Sequence, residues 1–285
     1  MANTRTIATA SGLRFEAWVD GPETGALVLL LHGFPQSRYS WRTQLPALAA
    51  AGYFAVAPDQ RGYSPGARPD PADLSRYSYD QLINDVIDIA AALDRDSGPF
   101  HLVGHDWGGQ IAWGVADRHP ARLASLTILS RPHPAAFIAA LENDPEQPER
   151  SKHHRNFLAP GAAAMLLAND MAAMRQSLAQ SGVPADAVDA YLTVLGTPDA
   201  IEAALAWYRA PRGLRVPLGP TRVPTLYIWG DHDATVGRMA AEGTAGFVSA
   251  SYRFEVLPGV GHYSTDQAPE RVTALLLEHL AAHPL

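Results

Sequence analysis

One short segment, residues 100–111, constrains the rest of the chain more than any other. It reads Phe-His-Leu-Val-Gly-His-Asp-Trp-Gly-Gly-Gln-Ile, which is an apolar run, a glycine-rich turn and the beginning of a helical pattern. Gly104 and Gly108 stand two residues before and two after Asp106, and small residues at these positions let the backbone turn sharply from strand to helix. Such a turn lifts the central side chain into a cleft. An ordinary loop with an N-capping Asp looks the same, so the flanking segments must decide between the two.

The segments on both sides alternate between two kinds of pattern. Continuous apolar runs such as Ala26–Leu31 and Leu123–Leu129 are typical of strands buried on both faces of a parallel sheet. Between them, Tyr79–Leu93 carries apolar residues at helical spacing. Further strands are predicted at Leu13–Val19, on a sheet edge, and at Tyr53–Pro58, Val223–Trp229 and Tyr252–Leu257, with further helices at Tyr39–Ala51, Trp107–Arg118 and Pro269 to about Ala282. This alternation predicts βαβ units in an α/β fold with a parallel sheet.

The alternation stops at Ser130. From Arg131 to about Gly219 the sequence is rich in Ala, helical in pattern and interrupted by prolines. The strand pattern resumes only at Val223. We therefore predict a helical insertion in the α/β fold over residues 131–219.

Three motifs together resemble one superfamily. Gly104-His-Asp-Trp-Gly-Gly109 resembles the nucleophile elbow of α/β-hydrolases, and more narrowly that of epoxide hydrolases and haloalkane dehalogenases, with Asp where most members carry Ser. His32-Gly-Phe-Pro35 is similar to the His-Gly-x-Pro motif of this group, and Asp59–Ser64 matches its Asp-x-Arg-Gly-x-Ser turn. The resemblance implies an α/β-hydrolase fold with a mostly parallel eight-stranded sheet flanked by helices. It assigns residues 1–130 and 220–285 to the core domain and residues 131–219 to a helical cap inserted after strand 6.

The same resemblance identifies a catalytic triad. In α/β-hydrolases the nucleophile is followed along the chain by the acid and then by the histidine. His262 directly follows the last predicted strand and fits the histidine. Asp233 stands at the final position of Gly-x-x-Asp, where the family places the acid, and Asp231 is the alternative. Some relatives place the acid after the sixth strand, but the residues from Ser130 to His133 include no carboxylate.

A carboxylate nucleophile favours a particular chemistry. Asp is ionised at neutral pH without the help of a base, and it suits attack on an sp³ carbon to give an alkyl-enzyme ester. His262, oriented by Asp233, would then activate a water molecule that hydrolyses this ester. The backbone N–H groups of Phe34 and Trp107 would form the oxyanion hole. We therefore expect an epoxide hydrolase with Asp106 as its nucleophile.

Epoxide hydrolases usually assist the departing oxygen with two cap tyrosines. Tyr208, in Ala206-Trp-Tyr-Arg209, resembles one of them. His153 stands where the other tyrosine is expected, and an imidazole N–H can polarise an epoxide oxygen. Tyr191 is a further candidate. Residues predicted to contact the substrate are Trp107, Phe34, Tyr191 and Trp207.

Two other functions remain open at this point. A haloalkane dehalogenase would use the same nucleophile, with indole N–H groups from Trp107 and Trp207 around the halide. A non-catalytic small-molecule-binding protein on the same scaffold is the second alternative. A metal site around His232 would need a further ligand that the neighbouring sequence lacks, so we expect no metal and no cofactor.

Composition narrows the partners. The 285 residues carry a net charge of −7 without a basic block, which argues against a nucleic-acid partner. The chain has no Cys, and no apolar run approaches the length of a membrane span or a signal peptide. We expect a cytoplasmic monomer or homodimer that acts on a hydrophobic small molecule, an epoxide, and water, away from membranes.

Overall fold

A computed structural model describes residues 3–211 and 217–285. These residues form one eight-stranded sheet with the strand order β1-β2-β4-β3-β5-β6-β7-β8. The strands are β1 Asn3–Ala8, β2 Arg14–Asp20, β3 Leu27–Leu31, β4 Phe54–Pro58, β5 Phe100–His105, β6 Leu123–Leu129, β7 Thr225–Gly230 and β8 Tyr252–Leu257. β2 runs antiparallel to both of its neighbours, and the other pairs are parallel. The predicted mostly parallel α/β sheet is confirmed.

Helices cover both faces of this sheet. In the described residues they are α1 Gln44–Ala50, α2 Tyr79–Ala92, α3 Trp107–Arg118, α4 Pro134–Asn143, α5 Gln147–Arg150, α6 His153–Leu158, α7 Ala162–Gln180, α8 Ala185–Leu195, α9 Pro198–Arg209, α10 Arg238–Gly243, α11 Ser264–Gln267 and α12 Pro269–Ala281. Along β3, Leu29 and Leu31 face one hydrophobic cluster, whereas Val28 and Leu30 face a second one on the other side. This two-sided burial explains why the strand is a continuous apolar run. None of the helices within the described ranges is both long enough and apolar enough to cross a membrane.

Two sequence predictions are wrong in detail. The sheet edge is β1, and β2 lies one strand further in, between β1 and β4. β1 shows no alternating pattern because Ile7 is its only buried residue. The helix predicted at Tyr39–Ala51 is split into a 3₁₀ turn, Arg38–Trp41, and α1.

Six helices, α4 to α9, lie between β6 and β7, and the described residues of this segment contain no strand. α4 packs against α10, beside the sheet, whereas α6, α7, α8 and α9 pack mainly on one another. α7 is kinked, because the backbone leaves helical geometry at Ala168 and is left-handed from Asn169 to Met171. These helices lie on the side of the sheet to which the carboxyl ends of β3, β5, β6 and β7 point, and there they enclose the cavity described below.

Candidate active site

A sharp turn between β5 and α3 presents Asp106. Its backbone has φ 51° and ψ −116°, a conformation that costs energy for a residue with a side chain. A side chain at Gly104 would collide with the backbone of Gly108, and a side chain at Gly108 would collide with the backbone of Leu31. The two glycines therefore let α3 begin close enough to β3 and β5 for this turn to form.

The carboxylate of Asp106 is held from two sides. Phe34, in the loop after β3, donates its backbone N–H to Oδ1 over 2.9 Å. The Nε2 atom of His262 lies 3.7 Å from Oδ2. Burial favours the neutral acid, but the hydrogen bond and charge of His262, together with His105 and the Phe34 N–H, outweigh it and hold the pKa of Asp106 below its usual range. Asp106 is therefore ionised at neutral pH.

The structure brings Asp233 and His262 together beside this nucleophile. The Nδ1 atom of His262 lies 3.0 Å from Oδ2 of Asp233, which is fully buried. Burial alone would lower the pKa of His262, but Asp233 and Asp106 outweigh it and raise this pKa to about 10. The alternative acid, Asp231, accepts the N–H of Gly259 and so closes the turn after β8.

Two hydroxyl groups complete this arrangement, and the sequence analysis missed both. Ser130 Oγ donates to Oδ2 of Asp233 at 2.5 Å and lies 2.8 Å from Nδ1 of His262. Thr235 Oγ1 donates to Oδ1 of Asp233 at 2.8 Å and lies at the same distance from Nδ1. Ser130 has a positive φ of 65°, which is uncommon for a residue other than glycine. That strained backbone would have been the signal, but it is visible only in coordinates.

The loop that carries His262 is also tied to the residue before the nucleophile. His105 Nε2 lies 2.8 Å from the backbone oxygen of His262, and their ring centroids are 5.0 Å apart. Burial lowers the pKa of His105 to about 4, so this imidazole is neutral and donates its N–H to that oxygen. The backbone of the His262 loop is thus held at a fixed distance from the turn that carries Asp106.

A cavity of about 360 Å³ opens above Asp106 and His262. Tyr208 and His153 both line it, on the side opposite the sheet. Burial and the charge of Asp106 raise the pKa of Tyr208 well above 10. Burial is also the main cause that lowers the pKa of His153, so its imidazole is neutral near pH 7. Both side chains can donate a hydrogen bond into the cavity.

The remaining walls are mostly apolar. The other lining residues are Phe34, Pro35, Phe157, Leu166, Ala173, Met174, Ser177, Leu178, Ser181, Ala234, Thr235 and Tyr263. Ala173, Ser177 and Ala234 are exposed, so the mouth of the cavity lies between α7 and the loop after β7. Tyr263 is a wall residue that the sequence analysis did not single out, although it directly follows His262.

Two residues predicted to contact the substrate lie outside the cavity. The hydroxyl of Tyr191 is buried and donates to both carboxylate oxygens of Asp266, at 2.9 and 3.0 Å. The indole N–H of Trp207 donates to the backbone oxygen of Arg61 at 3.0 Å. Each polar group thus donates a hydrogen bond from the helical segment to a residue outside it, and neither group can reach a substrate.

Trp107, a third residue predicted to contact the substrate, is also not among the residues that line the cavity. Its ring lies behind Tyr208, with centroids 5.0 Å apart, and its Nε1 has no hydrogen-bond partner among the described residues. Its backbone N–H is the first of α3 and belongs to the turn that holds Asp106. No group of three or more His, Asp or Glu side chains in the described ranges has the spacing of a metal site.

Comparisons with known proteins identify the family of this chain. A family model described as the alpha/beta hydrolase fold matches residues 26–269. Epoxide hydrolase 3 of Xenopus tropicalis is 32% identical over 281 residues, which cover 95% of this chain and 75% of the relative. Epoxide hydrolase A of Mycobacterium tuberculosis is 31% identical, and the alignment covers 98% of this chain and 98% of that protein. The crystal structure of epoxide hydrolase A from Mycobacterium thermoresistibile superposes with a TM-score of 0.85 at 26% identity over 100% of both chains.

Proposed function

This chain belongs to the α/β-hydrolase fold family, and on that premise we propose that it is an epoxide hydrolase that converts an epoxide to a vicinal diol. The observation that carries the proposal is that Asp106 and His262 line one cavity together with Tyr208, while Asp233 is buried against the far nitrogen of His262. Relatives named epoxide hydrolases at 31 to 32% identity over nearly the whole chain support it.

In the first half-reaction Asp106 opens the ring. Its Oδ1 is held by the Phe34 N–H, so Oδ2 is the atom that attacks a ring carbon. A carbon–oxygen ester bond forms while the carbon–oxygen bond of the epoxide breaks, and the electron pair of that bond goes to the ring oxygen. Tyr208 gives its proton to this oxygen, and His153 donates a hydrogen bond to it. The products of this step are a neutral ester on Asp106, a free hydroxyl group on the substrate and a phenolate at Tyr208.

In the second half-reaction water hydrolyses the ester. Nε2 of His262 accepts a proton from water, and the resulting hydroxide adds to the carboxyl carbon of Asp106. The N–H groups of Phe34 and Trp107 stabilise the oxyanion that forms at Oδ1. Asp233, held by Ser130 and Thr235, keeps Nδ1 of His262 protonated and oriented. The oxyanion then collapses, the bond between the carboxyl carbon of Asp106 and the substrate oxygen breaks, and His262 gives the proton taken from water to that oxygen as the diol leaves. The second proton of the water, now on the carboxyl group of Asp106, passes to the phenolate of Tyr208 and restores both residues.

We further propose that residues 131–219 act as a cap over a core domain of residues 1–130 and 220–285. The helices of the proposed cap supply Tyr208, His153 and most of the apolar walls, while the core supplies the three reacting groups. This division lets the cap exclude bulk water from the ester. The apolar walls that the cap supplies favour a hydrophobic small molecule as the substrate.

Dehalogenation is the second candidate, and one observation favours it. The Nε1–H group of Trp107, next to the nucleophile, has no partner among the described residues and could donate a hydrogen bond to a halide ion. A halide needs at least two such donors, and the N–H of Trp207 is already used by Arg61. We therefore prefer the epoxide, for whose oxygen Tyr208 and His153 are both available.

Trapping the ester tests the proposal. His262→Ala removes the base that hydrolyses the ester, so incubation with an epoxide should add the full mass of that epoxide to the intact protein. The double variant with Asp106→Asn is the control and should gain no mass. A gain equal to an alkyl group after halide loss, seen with haloalkanes and never with epoxides, would establish the dehalogenase. No adduct from a broad panel of both would contradict either enzyme and favour a protein that only binds small molecules.

A further inference from the structure

We propose that the preferred substrate of this site is an epoxide with an aryl group on the ring carbon that Asp106 attacks. This inference rests on the proposed function and adds the substrate class. Three features of the cavity carry it: the aromatic rings beside the nucleophile, the scarcity of charged groups in the walls, and the weak acids on the oxygen side.

The aromatic rings form one cluster beside Asp106. Phe34, Phe157 and Tyr208 all line the cavity, and each ring contacts the other two with its edge toward a face. The centroid separations are 5.1, 5.7 and 5.0 Å, and the interplanar angles lie between 65° and 84°. Aromatic rings prefer these edge-to-face and offset arrangements. A substrate phenyl ring can join this cluster in the same way, which an alkyl group of equal size cannot do.

The walls also limit the charge of the substrate. Among the described residues that line the cavity, the only acidic side chain is Asp106, and there is no Lys or Arg. The one other charged lining side chain among these residues, protonated His262, is already paired with Asp106 and Asp233. A carboxylate or ammonium group on the substrate would therefore lose its hydration without gaining an unpaired group of opposite charge. The substituent on the epoxide must be neutral and apolar.

The donors on the oxygen side are weak acids. Tyr208 would leave a phenolate buried away from water, which makes transfer of its proton costly. His153 is neutral, so it donates a hydrogen bond but holds no acidic proton at neutral pH. Ring opening assisted only by weak acids is fastest at a carbon that tolerates positive charge as the bond to oxygen breaks. A benzylic carbon does so because the aryl ring delocalises that charge.

A matched pair of epoxides tests this preference. Styrene oxide and cyclohexyloxirane have the same carbon skeleton size, but only the first is aromatic. We would measure by intact mass how fast each forms the ester on Asp106 in the His262→Ala protein. We expect the second-order rate constant for styrene oxide to be at least about 10-fold larger than that for cyclohexyloxirane. Equal rate constants, or a preference for the cyclohexyl compound, would overturn the aryl assignment while leaving the proposed function in place. No ester from either would overturn both.

Two substitutions separate the contributions of the walls and the donors. Phe157→Leu removes one ring of the cluster and should reduce the rate ratio to about 3-fold or less, mainly by slowing styrene oxide. Its control is Phe254→Leu, because Phe254 stacks on Tyr227 at the sheet edge and does not line the cavity, so the ratio should not change. His153→Tyr adds a phenol and should lower the ratio by accelerating cyclohexyloxirane. A ratio unaffected by both cavity variants, each shown by thermal unfolding to be folded, would contradict the inference.

Discussion

His262 lies between two carboxylates, and this position would link the two half-reactions of the proposed mechanism. Burial opposes a charged imidazole, but Asp233 at 3.0 Å and Asp106 at 3.7 Å outweigh it and keep the residue protonated at rest. A protonated imidazole cannot accept a proton from water. When Asp106 becomes a neutral ester, one of the two negative charges disappears and the pKa of His262 must fall. In the proposed mechanism, ester formation thus lets His262 release a proton to solvent and become the base that the next step needs.

This coupling predicts that the two half-reactions respond differently to acid. Ester formation needs ionised Asp106. Because the pKa of Asp106 is lowered, its carboxylate stays charged even at a pH below about 4, the ordinary pKa of Asp. Ester hydrolysis needs neutral His262, so its rate should fall about tenfold per pH unit below the pKa of the esterified enzyme. We expect the wild-type ester to accumulate at about pH 5 but not at about pH 8. Rapid quenching followed by intact mass measurement would detect it.

The control for this experiment is protein integrity. Circular dichroism at each pH must report a folded protein, and Asp106→Asn must show no adduct at either pH. Turnover that slows in acid without any build-up of ester would contradict the coupling, because it would mean that ring opening fails first.

The residues that we propose to react could be selected from the sequence because each follows a strand. Asp106, Asp233 and His262 come one, three and five residues after the ends of β5, β7 and β8, and local glycine-rich patterns mark all three turns. The hydroxyl of Ser130 could not be predicted, because its bond to Asp233 spans 103 residues and depends on how β6 lies beside β7. Tyr191 and Trp207 were assigned to the substrate site because no pattern reveals the direction in which a helical side chain points in a finished fold.

At the scale of whole elements, a buried polar cluster joins α8 to the core. Asp266, in α11, accepts hydrogen bonds from Tyr191 of α8, from Gln36 at 3.0 Å and from Arg42 at 2.7 Å. Burial raises the pKa of Asp266, with Arg42, Tyr191 and Gln36 acting in the opposite direction. Since α11 follows His262 directly, this cluster holds the proposed cap close to the loop that carries the base.

The cluster predicts that Tyr191 contributes to stability and not to chemistry. Tyr191→Phe removes one donor from the buried carboxylate and should cost about 1–3 kcal/mol of the free energy of unfolding. The rate of ester formation should change little. Tyr208→Phe should do the reverse, slowing ester formation about 100-fold with a small effect on stability. Urea unfolding and single-turnover mass measurements give both quantities for each variant.

Tyr39→Phe is a matched control for the first of these changes. Its hydroxyl also bonds to a carboxylate of α8, Asp186, at 2.9 Å, but this contact is exposed. Its loss should cost less than about 1 kcal/mol. A large loss of ring-opening activity in folded Tyr191→Phe would restore Tyr191 as a candidate proton donor and contradict the structural role.

Strand and helix patterns predicted the core well because each central strand is buried on both faces. The patterns failed at β1, whose outer position leaves it polar, and at the break between Arg38 and α1. The proposed cap could be predicted only as helical. Its kink at Asn169–Met171 and the packing of α6 to α9 come from contacts among helices that are distant in the chain.

Across the whole molecule, burial keeps many histidines neutral. Five fully or almost fully buried ones have pKa values lowered to about 4, with burial as the main cause: His32, His101, His105, His133 and His279. In the unfolded chain each would titrate near 6.5, so acid favours unfolding. Their contribution to stability is complete above about pH 6.5 and is lost as the pH falls toward about 4. His262 acts in the opposite direction, since its raised pKa contributes stability that is lost as the pH rises from about 6.5 to about 10.

Stability should therefore be highest near neutrality and fall steeply below about pH 6.5, by up to about 1.4 kcal/mol per pH unit for each buried histidine. Asp85, whose pKa burial raises to about 6, offsets part of this loss because it takes up a proton in the folded state. Urea unfolding at intervals between about pH 5 and pH 8 measures the slope. His101→Gln removes one titrating group, so it should reduce the slope by the contribution of one buried histidine. Gln is chosen because its neutral amide can replace the contact with Ser125. His232→Gln, at an exposed position, should leave the slope unchanged. A free energy of unfolding that stays flat across this range would mean that the buried histidines bind their protons equally well in the folded protein.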